Sequence, residues 1–289
     1  MAEVPPQERT SIDRIIGAKG TYIADDGVYK VVLPREAATV VQDYQTLSSN
    51  LGLNSWVAFT SGVHSDAILT GQLLLLDGEV DSVLSAVLNA GLEVNGLASS
   101  SLFDGPRLHT LDVTGRGSFQ SLATAFRKGL DEIGHVQRTM ASGATKSLRP
   151  ALPLESAITS GPLDAVLSMR GTIVGGAYKA AIGKRALLYG ERIGREMGAA
   201  TWVSFSGTND RAIAYGEFVE TIDDLQKVLK ALRVKGINID AIRNHTVGEH
   251  PQLVFIRFWS QGTALELARA VRYVLDVEVG AVAAPAVKM

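Results

Sequence analysis

Arg243, Asn244, His245, Glu249, His250, Arg257 and Trp259, close together near the carboxyl end, supply side chains suited to acid–base and anion chemistry. They lie in Arg243-Asn244-His245-Thr246-Val247-Gly248-Glu249-His250-Pro251 and in the run Leu253 to Trp259 that follows. Imidazole titrates near neutrality, so His245 is the candidate general acid or base, with Glu249 to orient it. Guanidinium groups stay charged and grip carboxylate or phosphate oxygens, so Arg243 and Arg257 are candidate anchors for an anionic substrate, flanked by Asn244 and Trp259. An arginine between Phe255 and Trp259 needs a counter-charge, because an unpaired buried charge is costly. Glu249, an anionic ligand or solvent exposure would each answer that need. As a third reading, His245, Glu249 and His250 form a candidate ligand set for a divalent metal.

These residues must be positioned by strands. Alternation places Ile239, Ala241, Arg243 and His245 on one face if the first strand stays regular, and Leu253, Phe255, Arg257 and Trp259 on one face of the next. A helical stripe of Leu225, Val228, Leu229 and Leu232 precedes them and stops at Gly236, and Thr263 to Glu266 forms a capping-box pattern that opens the last helix. The first half has the same grammar. Val28–Leu33, Trp56–Thr60 and Ile68–Leu76 read as strands, followed by a helix through Val80, Val83, Leu84, Val87 and Leu88 with Asp77 as its cap and Gly91 beyond its end. Leu92–Ser99 and Arg107–Val113 read as two more strands, and Ser118 caps a helix carrying Leu122, Ala125, Phe126 and Leu130 on one face.

The two halves are copies. Trp56-Val57-Ala58-Phe59 returns as Trp202-Val203-Ser204-Phe205, and Gly71, Gly91, Pro106 and Gly117 recur at a constant spacing as Gly216, Gly236, Pro251 and Gly262. Glycine and proline mark unusual backbone dihedrals, so both copies repeat the same turns in the same order. The expected fold is α+β: two tandem strand-rich units, each strands, helix, two strands, helix. The helices cover one face of an antiparallel or mixed sheet, and the copies form a pseudo-twofold body. Residues 10–140 are the first repeat, 141–154 a linker, 155–280 the second repeat and 281–289 a flexible tail. Trp56, Trp202, Phe59 and Phe205 are expected as core anchors, and Tyr29-Lys30 and Tyr178-Lys179 as structural strand pairs whose members face opposite ways.

Composition narrows the function. A net charge of −2 across 289 residues gives no general attraction to phosphate backbones, so nucleic acid is not an expected partner. No apolar stretch reaches the length of a membrane span. The absence of cysteine excludes disulfides, thiolate catalysis and iron–sulfur clusters. The amino end lacks a basic segment followed by an apolar core, so a cytoplasmic protein is expected, with export after signal removal as the alternative. A homodimer is compatible with all of this.

The Gly27-Val28-Tyr29-Lys30-Val31 start, the Ser55-to-Phe59 segment, the duplicated glycine–strand–helix–glycine block and the ending Leu253 to Trp259 resemble the LppY/LpqO-like bacterial family over nearly the whole chain. That resemblance implies two tandem copies of a domain of unknown function in a protein that is often exported. It also implies a pattern of His-x-His, a glutamate four residues after the second histidine, a proline, and a histidine on the next strand, similar to cupin-type metal sites. His245 and Glu249 match it, but Arg243 and Arg257 stand at the other two histidine positions, and the first copy has Ala98, Ser100, Asp104 and Asp112. A guanidinium cannot replace imidazole as a ligand, so a divergent member without a cofactor is expected. The resulting reading is a metal-independent enzyme of cyclase, isomerase or lyase type acting on a small anionic molecule through a pocket in the second repeat. His245 and Glu249 are its catalytic residues; Arg243, Arg257, Trp259 and Asn244 bind substrate. The alternatives are a non-catalytic ligand-binding or scaffold protein, and a divalent-metal site of cupin-like type.

Overall fold

The computed structural model describes residues 3–35, 40–42, 45–47, 54–100, 106–142 and 155–285. The chain divides into two compact units, one ending at Thr145 and the other beginning at Lys146. Residues 143–154 of the expected linker and 286–289 of the expected tail lie outside the described residues, as do residues 101–105.

The first unit runs α1 (Pro6–Ile16), β1 (Thr21–Ile23), β2 (Val28–Pro34), β3 (Val40–Gln42), β4 (Gln45–Leu47), β5 (Asn54–Ser61), β6 (Ala67–Leu76), α2 (Val80–Asn89), β7 (Glu93–Ser100), β8 (Leu108–Gly117) and α3 (Phe119–Ala141). The strands β1, β2, β5, β6, β8 and β7 lie side by side in that order, every described pair antiparallel, while β3 and β4 form a separate hairpin. Alternate side chains such as Val57, Phe59, Leu69 and Leu73 are buried. They meet the apolar stripes of α2, with Val83, Leu84 and Val87, and of α3, with Leu122, Ala125 and Phe126.

The second unit repeats this order of helices and strands, with a short 3-10 turn (Arg195–Met197) after β12: α4 (Ser160–Leu167), β9 (Thr172–Val174), β10 (Ala177–Gly183), β11 (Ala186–Leu188), β12 (Glu191–Ile193), β13 (Ala200–Gly207), β14 (Ala212–Thr221), α5 (Ile222–Val234), β15 (Asn238–Arg243), β16 (Leu253–Gly262) and α6 (Ala264–Glu278). Its main sheet runs β9, β10, β13, β14, β16, β15, also antiparallel at every described pair, with β11 and β12 as the separate hairpin. The expected α+β class holds. Among the described residues no helix is long and apolar enough to cross a membrane.

The expected helix stops hold too: Gly91 (φ 89°) and Gly236 (φ 67°) take the left-handed conformation just past α2 and α5. Ser118 accepts a hydrogen bond from the Ser121 amide, and Thr263 with Glu266 forms the capping box. Asp77 is not the cap of α2. That place belongs to Glu79, fully buried, whose carboxylate accepts from the Leu76 amide at 2.8 Å and pairs with Arg35 at 2.6 Å, while Asp77 turns to His109 at 2.5 Å. The reason is burial: Arg35 reaches the fully buried acid and leaves the exposed one to His109.

The tryptophans also depart from expectation. Phe59 and Phe205 are core residues, but Trp56 and Trp202 are half-buried on the face opposite the helices. There Nζ of Lys30 lies 4.6 Å from the Trp56 ring and Nζ of Lys179 lies 4.6 Å from the Trp202 ring. Tyr29 and Tyr178 point the other way, into the core, as alternation requires. Each donates its hydroxyl to an aspartate, Asp13 at 2.5 Å and Asp164 at 2.8 Å, that also accepts a glycine amide. Burial first, then the aspartate, pushes the Tyr29 phenol up to about 12 and raises that of Tyr178 further. These tyrosines are structural ties between strand and first helix.

Candidate functional site

In the second unit, strand register brings the predicted residues to the face away from the helices. On β16, Val254, Ile256 and Phe258 point inward and are buried, so Phe255, Arg257 and Trp259 share the outer face. Cross-strand partners face the same way, which puts Glu217 of β14 opposite Arg257 and Tyr215 opposite Trp259. Strand β15 does not stay regular. A register shift between Ile239 and Ala241 sets Ile239 opposite the inward Phe258, while Ala241 and Arg243 lie opposite Arg257 and Phe255. The expectation that Ile239 shares a face with Arg243 therefore fails, because the extra residue of a bulge reverses the alternation.

Glu217 is the counter-charge that Arg257 requires. Its Oε1 lies 2.8 Å from Nη2 of Arg243 and 3.4 Å from Nη2 of Arg257. The carboxylate side chain is 8% exposed, and the arginines are 35% and 34% exposed. Two cations thus converge on one anion, and Nε of Arg257 is buried without a hydrogen-bond partner. Sequence reading missed Glu217 because it lies 40 residues before Arg257, and only the β14–β16 register joins them.

His245 is exposed at the rim, its ring centroid 5.0 Å from that of Phe255. Its Nδ1 is 3.3 Å from Nη1 of Arg243. A guanidinium only donates, so Nδ1 is the acceptor in this contact. Nε2 faces Gly198, where an added Cβ would stand 3.1 Å away. Phe255 belongs to a small apolar cluster with Ala186, Ile193, Ala199, Val219 and Leu253, by which the β11–β12 hairpin is seated on the outer face.

Glu249 does not orient His245. It is buried, and its Oε1 accepts from the Leu253 amide at 2.9 Å. Burial opposes its charge, but backbone amides led by that of Leu253 hold its pKa below the ordinary carboxylate value. His250 is exposed and tied through its backbone to Leu187, donating at 2.8 Å and accepting at 2.9 Å. Asn244 offers its carbonyl to Arg243 at 3.4 Å. Among the described residues no three His, Asp or Glu side chains gather closely enough to hold a metal ion, so the set His245, Glu249 and His250 is not assembled.

The first unit provides an internal comparison. Gln72 and Asp112 stand opposite each other where the second unit has Glu217 and Arg257, joined from Gln72 Nε2 to Asp112 Oδ1 at 2.8 Å. Thr70 and Thr114 take the places of Tyr215 and Trp259. The same scaffold stands without arginine or these rings, so the fold does not require them.

The fold and this asymmetry define a duplicated α+β protein in which, among the described residues, the second unit carries an arginine pair where the first has Ala98 and Asp112. The chain belongs to the family described as Domain of Unknown Function (DUF1259), whose model matches residues 10–132 and 161–277. No curated protein matches it significantly. Among solved structures it is similar to the trimeric bacterial microcompartment shell protein PduB, at 9% identity and a TM-score of 0.23, over 90% of this chain and 91% of that one. It is also similar to the double ringed trimeric shell protein MSM0271 from the RMM microcompartment, at 14% identity and a TM-score of 0.21, over 87% and 94%. Overlaps of that quality carry no argument about assembly or activity.

Proposed function

We propose that the second unit binds a small molecule bearing a carboxylate or phosphate on the outer face of its sheet, gripped by Arg243 and Arg257. The supporting observation is the charge balance: both guanidinium groups turn to the single carboxylate of Glu217, and the Arg257 Nε–H has no partner. An anionic oxygen against the solvent-exposed parts of the two guanidinium groups would offset the surplus charge. Within its family the chain is a divergent member of the LppY/LpqO-like group, with arginine at positions where that pattern has histidine.

Non-catalytic binding is the reading this geometry supports best, because Glu249 is turned to a backbone amide and leaves His245 without its expected carboxylate. Catalysis of cyclase, isomerase or lyase type is the second reading. It is favoured by the exposed His245 ring, whose Nδ1 lies 3.3 Å from Nη1 of Arg243, beside the proposed anion site. Calorimetric titration with small carboxylates and inorganic phosphate tests both. Binding lost in Arg257→Gln and kept in His245→Ala, with no product by mass spectrometry, supports the first. A product that vanishes in His245→Ala establishes the second, and a wild-type protein that binds no anion overturns both.

A further inference from the structure

We infer that the ligand of this face is an aryl carboxylate, its carboxylate on the arginines and its flat ring on Tyr215 and Trp259; the inference rests on the anion-binding reading. Trp202 is not the platform, since Lys179 already covers its ring at 4.6 Å and the Tyr215 ring meets it edge-on at 5.7 Å. Tyr215 and Trp259 remain 38% and 36% exposed and stand opposite each other across β14 and β16. Immediately beside them is the row that holds Glu217 and Arg257. Residues two apart on a strand are separated by about 7 Å, the reach of an acid with a short linker between ring and carboxylate.

The first unit argues that the rings are there for a ligand. It keeps the lysine–tryptophan stack, Lys30 on Trp56, but has threonines where the second unit exposes Tyr215 and Trp259. The aromatic pair and the arginine pair occur together in one unit, on adjacent rows, and are both lacking at the matching positions of the other. Ring stacking selects flat π systems over saturated rings of like size, because the aromatic quadrupole favours offset or edge contacts with another aromatic.

The test compares phenylpropionate with cyclohexylpropionate, which share charge and length, by calorimetry on the full chain. Two ring contacts predict that the aryl acid binds about tenfold more tightly. Trp259→Leu and Tyr215→Leu are each expected to cut that advantage to about threefold, and thermal unfolding of each variant shows that it is folded. Equal affinity for the two acids, or an advantage that stays undiminished in both Trp259→Leu and Tyr215→Leu, overturns the inference and leaves the arginine site standing. Failure of both acids and of phosphate to bind overturns both.

Discussion

Glu217→Gln should move stability and affinity in opposite directions. The carboxylate is nearly buried and serves Arg243 at 2.8 Å and Arg257 at 3.4 Å. Removing one partner of a fully buried ion pair costs about 3 to 5 kcal/mol, whereas exposed pairs contribute about 0.2 to 1 kcal/mol. Both arginines are about a third exposed and regain water, and the glutamine oxygen still accepts one hydrogen bond, so the loss should be about 2 kcal/mol. In a unit of this size that lowers the melting temperature by roughly 5 °C. Meanwhile a bound anion no longer faces a like charge beside the arginines. Relief of about 1 kcal/mol of screened repulsion raises anion affinity about fivefold. Thermal unfolding and calorimetry on the same preparation read both effects. Unchanged stability, or affinity that falls as it does in Arg257→Gln, would refute the view that Glu217 holds the site's cations in the absence of ligand.

Other outcomes follow from the same geometry. Lys184 lies 2.8 Å from both Glu220 and Glu278, and burial, then the Glu278 charge, outweigh Lys184 to push the Glu220 carboxyl from its ordinary 4.5 up to about 8. The native state binds that proton more tightly than the unfolded chain, so the contribution of Glu220 is full below pH 4.5 and declines as pH rises to about 8. Urea unfolding across that window should show the decline in the wild type and its loss in Glu220→Gln; identical slopes would contradict it. Gly198→Ala should cost about 1 to 2 kcal/mol, because a left-handed backbone must accept a side chain. The new methyl group would also press on His245 Nε2, so adding His245→Ala should recover part of the loss, and no recovery would place the strain elsewhere. Tyr178→Phe and Tyr29→Phe should each cost about 1 to 3 kcal/mol in chemical denaturation, since each removes a hydroxyl bonded to a carboxylate. Neutral substitutions would deny the tie between strand and first helix.

Features set by local periodicity were legible in the sequence. The stripes of α2 and α5, the stops at Gly91 and Gly236 and the caps at Ser118 and Thr263 depend on residues within a few positions of one another. So was the outward face shared by Phe255, Arg257 and Trp259, which needs only alternation. The partner of those arginines was not, because Glu217 joins them only through the β14–β16 register. A bulge in β15, the competition of Glu79 with Asp77 and the burial of Glu249 against the Leu253 amide each turn on contacts outside the local pattern. The helices α1 and α4 went unread for a related reason. Their apolar faces are short, with Ile12 and Ile16 in one and Leu163 and Leu167 in the other, and they are secured by tertiary ties such as Asp13 to Tyr29.

An anion should be received by the open face of the second unit and not by its copy in the first. The three tryptophans report on it directly, since Trp56 lies on the first face and Trp202 and Trp259 on the second. Heteronuclear NMR of the indole N–H and arginine Nε–H signals during titration with phenylpropionate should shift Trp259 and Arg257 together while Trp56 stays still. Shifts confined to Trp56, or none at Arg257 under saturating ligand, would contradict the account.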